Sequence, residues 1–223
     1  HCLALTAQTP YVMEEEVRDS AELCRRLGIR QETLAFPILP SLADNPPLRC
    51  YLCKHALFSA LAARAAEAGF PLLADGSNTD DLGDYRPGRK AVQELGILSP
   101  FLEAAMDKAD IRSVARGLGL PESVSGKPAY ACLATRVPTG CSIDPEILKK
   151  IERAETGFTR LGFSDFRVRV WKDPAGQDSW NARLQLTESQ FYLLTEKRLE
   201  VLELLKPDFS QVLLDLSARS VTI

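Results

Sequence analysis

No apolar run in the 223 residues comes near the ~20 needed to cross a bilayer, which sets membrane-spanning proteins aside. The opening stretch, His1 to Thr6, has no basic region and too little apolar length for a secretory leader, so none is expected. Charge of one sign is lacking as well. With 27 Lys and Arg against 30 Asp and Glu, a net charge of −3 and a pI near 5.6, nothing pulls the whole chain toward nucleic acid or an anionic membrane. Nucleic acid is therefore not the expected partner, although a local basic site stays open. There is no internal repeat and no low-complexity tract. A second close cysteine pair is also missing: the six cysteines stand at 2, 24, 50, 53, 132 and 141, so a four-cysteine zinc site cannot be assembled from two C-x-x-C pairs. At this length, with 45% hydrophobic residues, the chain can bury a proper core and needs no disulfides. Cys2 and Cys24 sit in apolar patterns that suit small buried thiols, and the expected compartment is the reducing cytoplasm.

What is present alternates. His1 to Ala7 reads as a buried strand ending at Gln8-Thr9-Pro10. From Met13 to Leu27 the apolar positions Val17, Ala21, Cys24 and Leu27 recur at helical spacing, with Gly28 as a stop. Thr33 to Ile38 reads as a strand, Arg49 to Ala68 as a helix, and Phe70 to Ala74 as a third strand running into Asp75-Gly76-Ser77-Asn78. The alternation predicts a mainly parallel sheet with helices on both faces. Asp107, with Asp110 three residues on, predicts a capping box opening a helix to Gly117. The loop region from Ser123 to Ser142 marks a boundary, giving one unit over 1–142 and a second over 143–223. The second reads as αββαβ: helix Pro145 to Leu161, strands Phe166 to Trp171 and Asn181 to Leu186 about a turn at Asp173-Pro174-Ala175-Gly176, helix Glu188 to Leu205, and strand Gln211 to Leu216.

Chemistry-bearing residues fall in four places. Arg49-Cys50-Tyr51-Leu52-Cys53-Lys54 puts two thiols three apart at a loop-to-helix junction. There the helix dipole, Arg49 and Lys54 all favour thiolate, and one metal or cluster could take both sulfurs. A redox pair and half of a zinc site are the other readings. Asp75-Gly76-Ser77-Asn78-Thr79-Asp80-Asp81 follows a strand end, where open α/β sheets bind ligands, and its acids suit hydroxyls or Mg²⁺. A solvated turn reads equally well. Tyr85-Arg86-Pro87-Gly88-Arg89-Lys90 is a basic stretch suited to phosphate or carboxylate. Cys132 precedes Arg136, which could hold an anion and favour the thiolate. Arg167 and Arg169 share one strand face, which by itself reads as solvated. Cys141 has no positive neighbour and looks incidental.

Together, Asn45-Pro46-Pro47 with Arg49 to Lys54, Asp75 to Gly88, and Lys127-Pro128-Ala129-Tyr130-Ala131-Cys132-Leu133-Ala134-Thr135-Arg136 resemble the LarE family in order and spacing across nearly all of the chain. These are ATP-dependent sulfur insertases that mature a nickel-pincer nucleotide. The resemblance implies a Rossmann-like PP-loop (adenine nucleotide alpha hydrolase) ATP domain over 1–142, with a small α+β domain over 143–223 for substrate binding and oligomerisation. The Ser-Gly-Gly-x-Asp-Ser phosphate loop of PP-loop enzymes is absent, and His1 to Ala7 matches the family's second strand. The first strand and loop are therefore expected upstream, and the natural protein is expected to be longer.

The resemblance further implies ATP and Mg²⁺ as cofactors, with Asp75, Ser77, Asn78, Asp81, Arg136, Arg167 and Arg169 as binding residues and Cys132, Lys54 and Glu155 at the reacting centre. Glu155, Arg167 and Arg169 would line the pocket for the substrate phosphate. The substrate would be a pyridinium dicarboxylate mononucleotide whose carboxylate is adenylated and then given sulfur. In one version of the family the cysteine matching Cys132 gives up its own sulfur. In the other, Cys50, Cys53 and Cys132 hold a [4Fe–4S] cluster; the retained C-x-x-C favours this, since three thiolates leave one iron free. A homo-oligomer is expected. The rivals are a PP-loop enzyme that thiolates tRNA and a non-catalytic cluster-carrying module.

Overall fold

The computed structural model describes residues 2–83, 87–128, 130–172 and 179–219. Tyr85 and Arg86 of the basic stretch, and the turn expected at Asp173–Gly176, lie outside the described residues.

The chain begins as β1 (Leu3–Gln8), turns into helix α1 (Glu14–Leu27) and returns as β2 (Arg30–Ala35). β1 and β2 pair in parallel from Leu3↔Arg30 to Gln8↔Ala35. Three glutamates open α1 and two arginines close it, matching the helix dipole. Gly28 stops it in the left-handed conformation at φ 65°, and the Ile29 N–H reaches back to Cys24 O at 2.9 Å. That stop sets the register of β2, which starts three residues earlier than the expected Thr33. The strand ends early too: Phe36 N–H makes a last bond to Gln8 O, and Pro37 has no N–H to continue the ladder. Among the described residues β1 pairs on this one side alone. Cys2, just ahead of the ladder, is exposed rather than buried, and Cys24 is half-buried.

Helix α2 (Arg49–Glu67) follows as expected. The strand expected at Phe70–Ala74 shrinks to one parallel bridge, Ala74↔Leu98, held by Asp75 N–H to Leu98 O at 2.8 Å and Leu98 N–H to Leu73 O at 3.0 Å. Pro71 cannot donate, Leu72 is 70% exposed, and among the described residues no ladder forms beside this segment. Helices α3 (Pro87–Glu94) and α4 (Lys108–Gly117) follow. The predicted capping box is present: Asp107 accepts from Asp110 N–H at 2.8 Å, and Asp110 accepts from Asp107 N–H at 3.3 Å.

Helix α5 (Pro145–Arg160) starts on Asp144, which accepts from Glu146 N–H at 3.0 Å, with Pro145 in the first position. β3 (Arg167–Lys172) runs antiparallel to β4 (Trp180–Gln185), and β5 (Val212–Leu214) adds in parallel to β4. The helix expected over Glu188 to Leu205 is three pieces: a 3₁₀ turn at Glu188–Gln190, then α6 (Phe191–Glu196) and α7 (Arg198–Leu205). Bonds from Lys197 N–H to Leu193 O and Val201 N–H to Lys197 O carry helical turns across the second junction. Gly157 brings α7 against α5; a Cβ there would stand 2.5 Å from Leu204.

The architecture is mixed α/β with a small parallel sheet and helices. Its main core centres on α5, where Phe158 meets Phe163 and Phe166 at ring distances of 4.8 and 5.1 Å. Tyr11, Met13 and Leu42 join Leu133, Ile147 and Leu205 in one buried cluster, so core residues lie on both sides of position 142. Among the described residues no helix is long and apolar enough to cross a membrane.

Candidate functional site

Two segments far apart in sequence build the site. Cys50 and Cys53 occupy the first turn of α2, where a spacing of three puts them on one face. Cys132 caps a 3₁₀ turn, Leu133–Arg136. That turn is pinned by Leu133 N–H to Tyr11 O at 2.8 Å, and by the Thr135 N–H and hydroxyl on Cys132 O at 3.0 and 2.8 Å.

Asn45 ties the two segments together. It is fully buried and left-handed at φ 47°, a conformation asparagine tolerates better than other non-glycine residues. Its amide donates to Val137 O and Pro138 O, both at 2.9 Å, and its Oδ1 accepts from Arg49 Nη1 at 3.0 Å. Gly140 N–H returns a bond to Asn45 O. Asn45→Ala strips two carbonyls and a guanidinium of partners in a dry place. The expected loss is about 2–4 kcal/mol in denaturant unfolding, at an orphaning cost of ~1–3 kcal/mol per group. A loss under about 1 kcal/mol would show that the tie is idle.

The three thiols share a neighbourhood. Burial pushes Cys53 up to about 11; Cys132 and Cys50 add to the rise, and Lys54 opposes it. Cys132 is raised by burial and then by Cys50, against the Thr135 N–H, Arg49 and Arg136. The expected easy thiolate is therefore corrected for these two positions: desolvation outweighs the nearby cations. Among the described residues no group of three or more His, Cys, Asp or Glu side chains is arranged to hold a metal ion, so the thiols are neighbours rather than a ready-made ligand set.

Beside them lies a basic region. Arg136 is buried and forms a two-pronged pair with Glu155, at 2.8 and 2.9 Å. Glu155 also accepts from Val168 N–H at 2.8 Å and from the Tyr130 hydroxyl. Arg136 and Arg167 stack on the Tyr130 ring at 4.9 and 5.6 Å. Burial and the neighbouring Arg136 and Arg219 pull Arg167 down to about 10. Arg169 reaches Thr135 O at 2.9 Å, so this strand face meets the Cys132 turn and is not a solvated one. Arg136, Arg169 and Arg183 line a cavity of about 330 Å³ with Pro138, Trp171 and Leu213. Glu155, without exposed surface, faces Arg136, Tyr130 and β3, a place from which it positions other groups.

The acidic loop is ordered by its own side chains. Asp75 accepts from the Ser77 and Ser99 hydroxyls at 2.6 and 2.7 Å, and Asn78 and Asp81 form a second capping box. It connects to the cysteines through α3. Arg89 Nη1 lies 3.5 Å from Asp81 O, and a Cβ on Gly88 would stand 2.8 Å from Lys54 Cδ and 3.3 Å from Cys50 O. Lys54 thus runs along α3 next to Cys50. Sequence reasoning gave Asn45, Tyr130 and Gly88 no role of their own. An asparagine just before Pro-Pro, outside any helix pattern, was the one available signal.

No family model matches the chain. It is 38% identical over 171 residues to an uncharacterized protein of Synechocystis, covering 76% of this chain and 63% of that one. An uncharacterized protein of Methanocaldococcus jannaschii is 31% identical over 173 residues, with 78% and 66% covered. The pyridinium-3,5-bisthiocarboxylic acid mononucleotide synthase of Lactiplantibacillus plantarum is 31% identical over 183 residues, with 81% and 66% covered. The chain spans just under two thirds of the length of these relatives. On its likeness to that synthase over 81% of its length, the chain belongs to the LarE family.

Proposed function

We propose that the protein is an ATP-dependent sulfur transferase that converts carboxylates of pyridinium-3,5-biscarboxylic acid mononucleotide to thiocarboxylates. One observation carries the reading: Cys132 caps the turn whose Arg136 lines the arginine cavity, and Arg169 of that cavity reaches the same turn at Thr135 O. That juxtaposition gives a sulfur chemistry its anionic substrate. ATP, with Mg²⁺, adenylates a carboxylate and releases pyrophosphate; sulfur then displaces AMP. Arg169 and Arg183 hold the nucleotide's negative groups in the cavity, because guanidinium forks match phosphate and carboxylate, while Arg136, paired with Glu155, forms the cavity's wall. Arg167 and Glu155 keep Tyr130 and Arg136 in place. Lys54, beside Cys50, faces the reacting centre. Asp75, Ser77, Asn78 and Asp81 are proposed on the ATP side, where carboxylates engaged by hydroxyls still have lone pairs to offer.

The donors fit a [4Fe–4S] cluster in kind: three free thiols, of which Cys53 and Cys132 are raised by burial and by neighbouring sulfurs, a cost a bound cation relieves. Cys50, Cys53 and Cys132 would hold it, and its fourth iron would carry the sulfide for transfer. Closing the three thiols on one centre requires side-chain rotation, since they are not preassembled. The chain is proposed to divide near position 142 and to form a homo-oligomer.

The test is turnover by the full-length protein given the dicarboxylate nucleotide, ATP and Mg²⁺. AMP, pyrophosphate and a product heavier by the oxygen-to-sulfur exchange are expected. ATP cleavage without thiocarboxylate, or tRNA as the thiolated product, would overturn the reading.

A further inference from the structure

Arg49 is held in an unusual way. Its Nη1 is engaged by Asn45 Oδ1 at 3.0 Å and, more loosely, by Thr139 Oγ1 at 3.4 Å. Its Nε is buried and has no hydrogen-bond partner among the described residues. No acceptor among them meets Nη2 either. The free side is thus the Nε–Nη2 edge, two parallel donors spaced to grip the two oxygens of a carboxylate. A buried donor without an acceptor is costly and uncommon in folded proteins, and Asn45 is itself locked, so the guanidinium cannot swing out to water without giving up that anchor.

The free edge sits in a telling place. Arg49 directly precedes Cys50 in α2, and its partner Thr139 follows Pro138, which lines the arginine cavity, so Arg49 joins the thiol helix to the rim of that cavity. Arg136, the other cation acting on Cys132, has Glu155 as its neutralising partner; no carboxylate among the described residues pairs with Arg49. A negatively charged ligand group entering from the cavity toward Cys132 meets Arg49 as a cation that no carboxylate among the described residues neutralises.

We infer that Arg49 is the residue that grips the reacting carboxylate of the substrate through its Nε–Nη2 edge and sets it against Cys132. This rests on the sulfur-transfer reading above and deepens it. The cavity arginines take the nucleotide's remaining negative charge, and Arg49 reads the one group to be changed. Once adenylated, that group loses a charge, so Arg49 grips the carboxylate more tightly than the acyl-adenylate and leaves the activated carbon open.

The experiment compares two ligands and two variants of the full-length protein. Calorimetric binding of the pyridinium 3,5-dicarboxylate mononucleotide and of nicotinic acid mononucleotide, which has one carboxylate fewer, is measured for wild type, Arg49→Lys and Arg49→Gln. For the dicarboxylate, each variant is expected to lose roughly 10- to 100-fold in affinity, the range for removing a hydrogen bond to a charged group. For the monocarboxylate the loss is expected to be several-fold smaller. Lysine keeps the charge but not the fork, so partial rescue by Arg49→Lys identifies charge, and none identifies the two-donor geometry. Equal loss for both ligands, or unchanged affinity with a lowered thermal midpoint, would overturn the inference and leave Arg49 as a brace for Asn45. Failure of wild type to bind either nucleotide would overturn the sulfur-transfer reading, and this inference with it.

Discussion

Replacing Glu155 with alanine is expected to destabilise the fold by about 3–5 kcal/mol, the cost of stranding one half of a buried ion pair. Both oxygens are committed: Oε1 to Arg136 Nε and Val168 N–H, Oε2 to Arg136 Nη2 and the Tyr130 hydroxyl. Its removal leaves a guanidinium with 1% side-chain exposure holding only Thr135 Oγ1, and a strand N–H without an acceptor. The effect reaches the site through two routes, the Arg136 end of the Cys132 turn and the Tyr130 ring on which Arg167 stacks. Glu155→Gln keeps the shape and one acceptor, so its loss is expected to be smaller. Glu155→Leu with Arg136→Met together should recover much of the stability, because an apolar pair leaves no buried charge. Denaturant midpoints at unchanged slope would report this. If Glu155→Ala cost no more than an exposed pair such as Lys149–Glu146, the pair would not be holding the turn.

The second large effect concerns iron. In full-length protein purified without oxygen, wild type is expected to retain iron and sulfide with absorption near ~400 nm, and Cys50→Ala, Cys53→Ala or Cys132→Ala each to lose most of it. Cys24→Ala and Cys141→Ala, outside the group, should keep the wild-type content. Turnover should collapse in all three site variants. The sacrificial route predicts a different pattern: wild type without iron, Cys50→Ala and Cys53→Ala still active for one turnover, and a protein mass lower by one H₂S after reaction. Cys132→Ala is inactive under both, so the two C-x-x-C cysteines decide between them. Cys50 acts on both Cys53 and Cys132, and Cys132 acts on Cys53; such crowding of thiols suits a bound cation better than a lone nucleophile.

Local signals in the sequence were read well where one residue decides the geometry. Gly28 ends α1, Asp107 with Asp110 opens α4, and the helix read from Pro145 starts there. Strand extents were read less well, because a strand needs a neighbour that composition does not reveal. Phe70–Ala74 has the right residues and only Leu98 to pair with. The cysteines and Arg136 stand out in the motifs, and Arg169 through the strand face and the family resemblance; Arg169 reaches the Cys132 turn at Thr135 O. The protonation of Cys53 and Cys132 differs from expectation, since the helix dipole and adjacent cations are visible in sequence and desolvation is not. Asn45 shows in sequence only as an asparagine before Pro-Pro, and the free edge of Arg49 not at all: their meaning comes from the loop after Cys132, some 90 residues away.

The β1 strand carries a consequence for the thiol site. It shares its ladder with β2 alone among the described residues, so its last bond, from Phe36 N–H to Gln8 O, fixes where Thr9 leaves the sheet. Thr9 Oγ1 then accepts from Tyr11 N–H at 3.2 Å, and Tyr11 O receives Leu133 N–H. A slip of β1 by one residue would carry Tyr11 with it and move the Cys132 turn, so the strand register acts as a gauge for the thiol site.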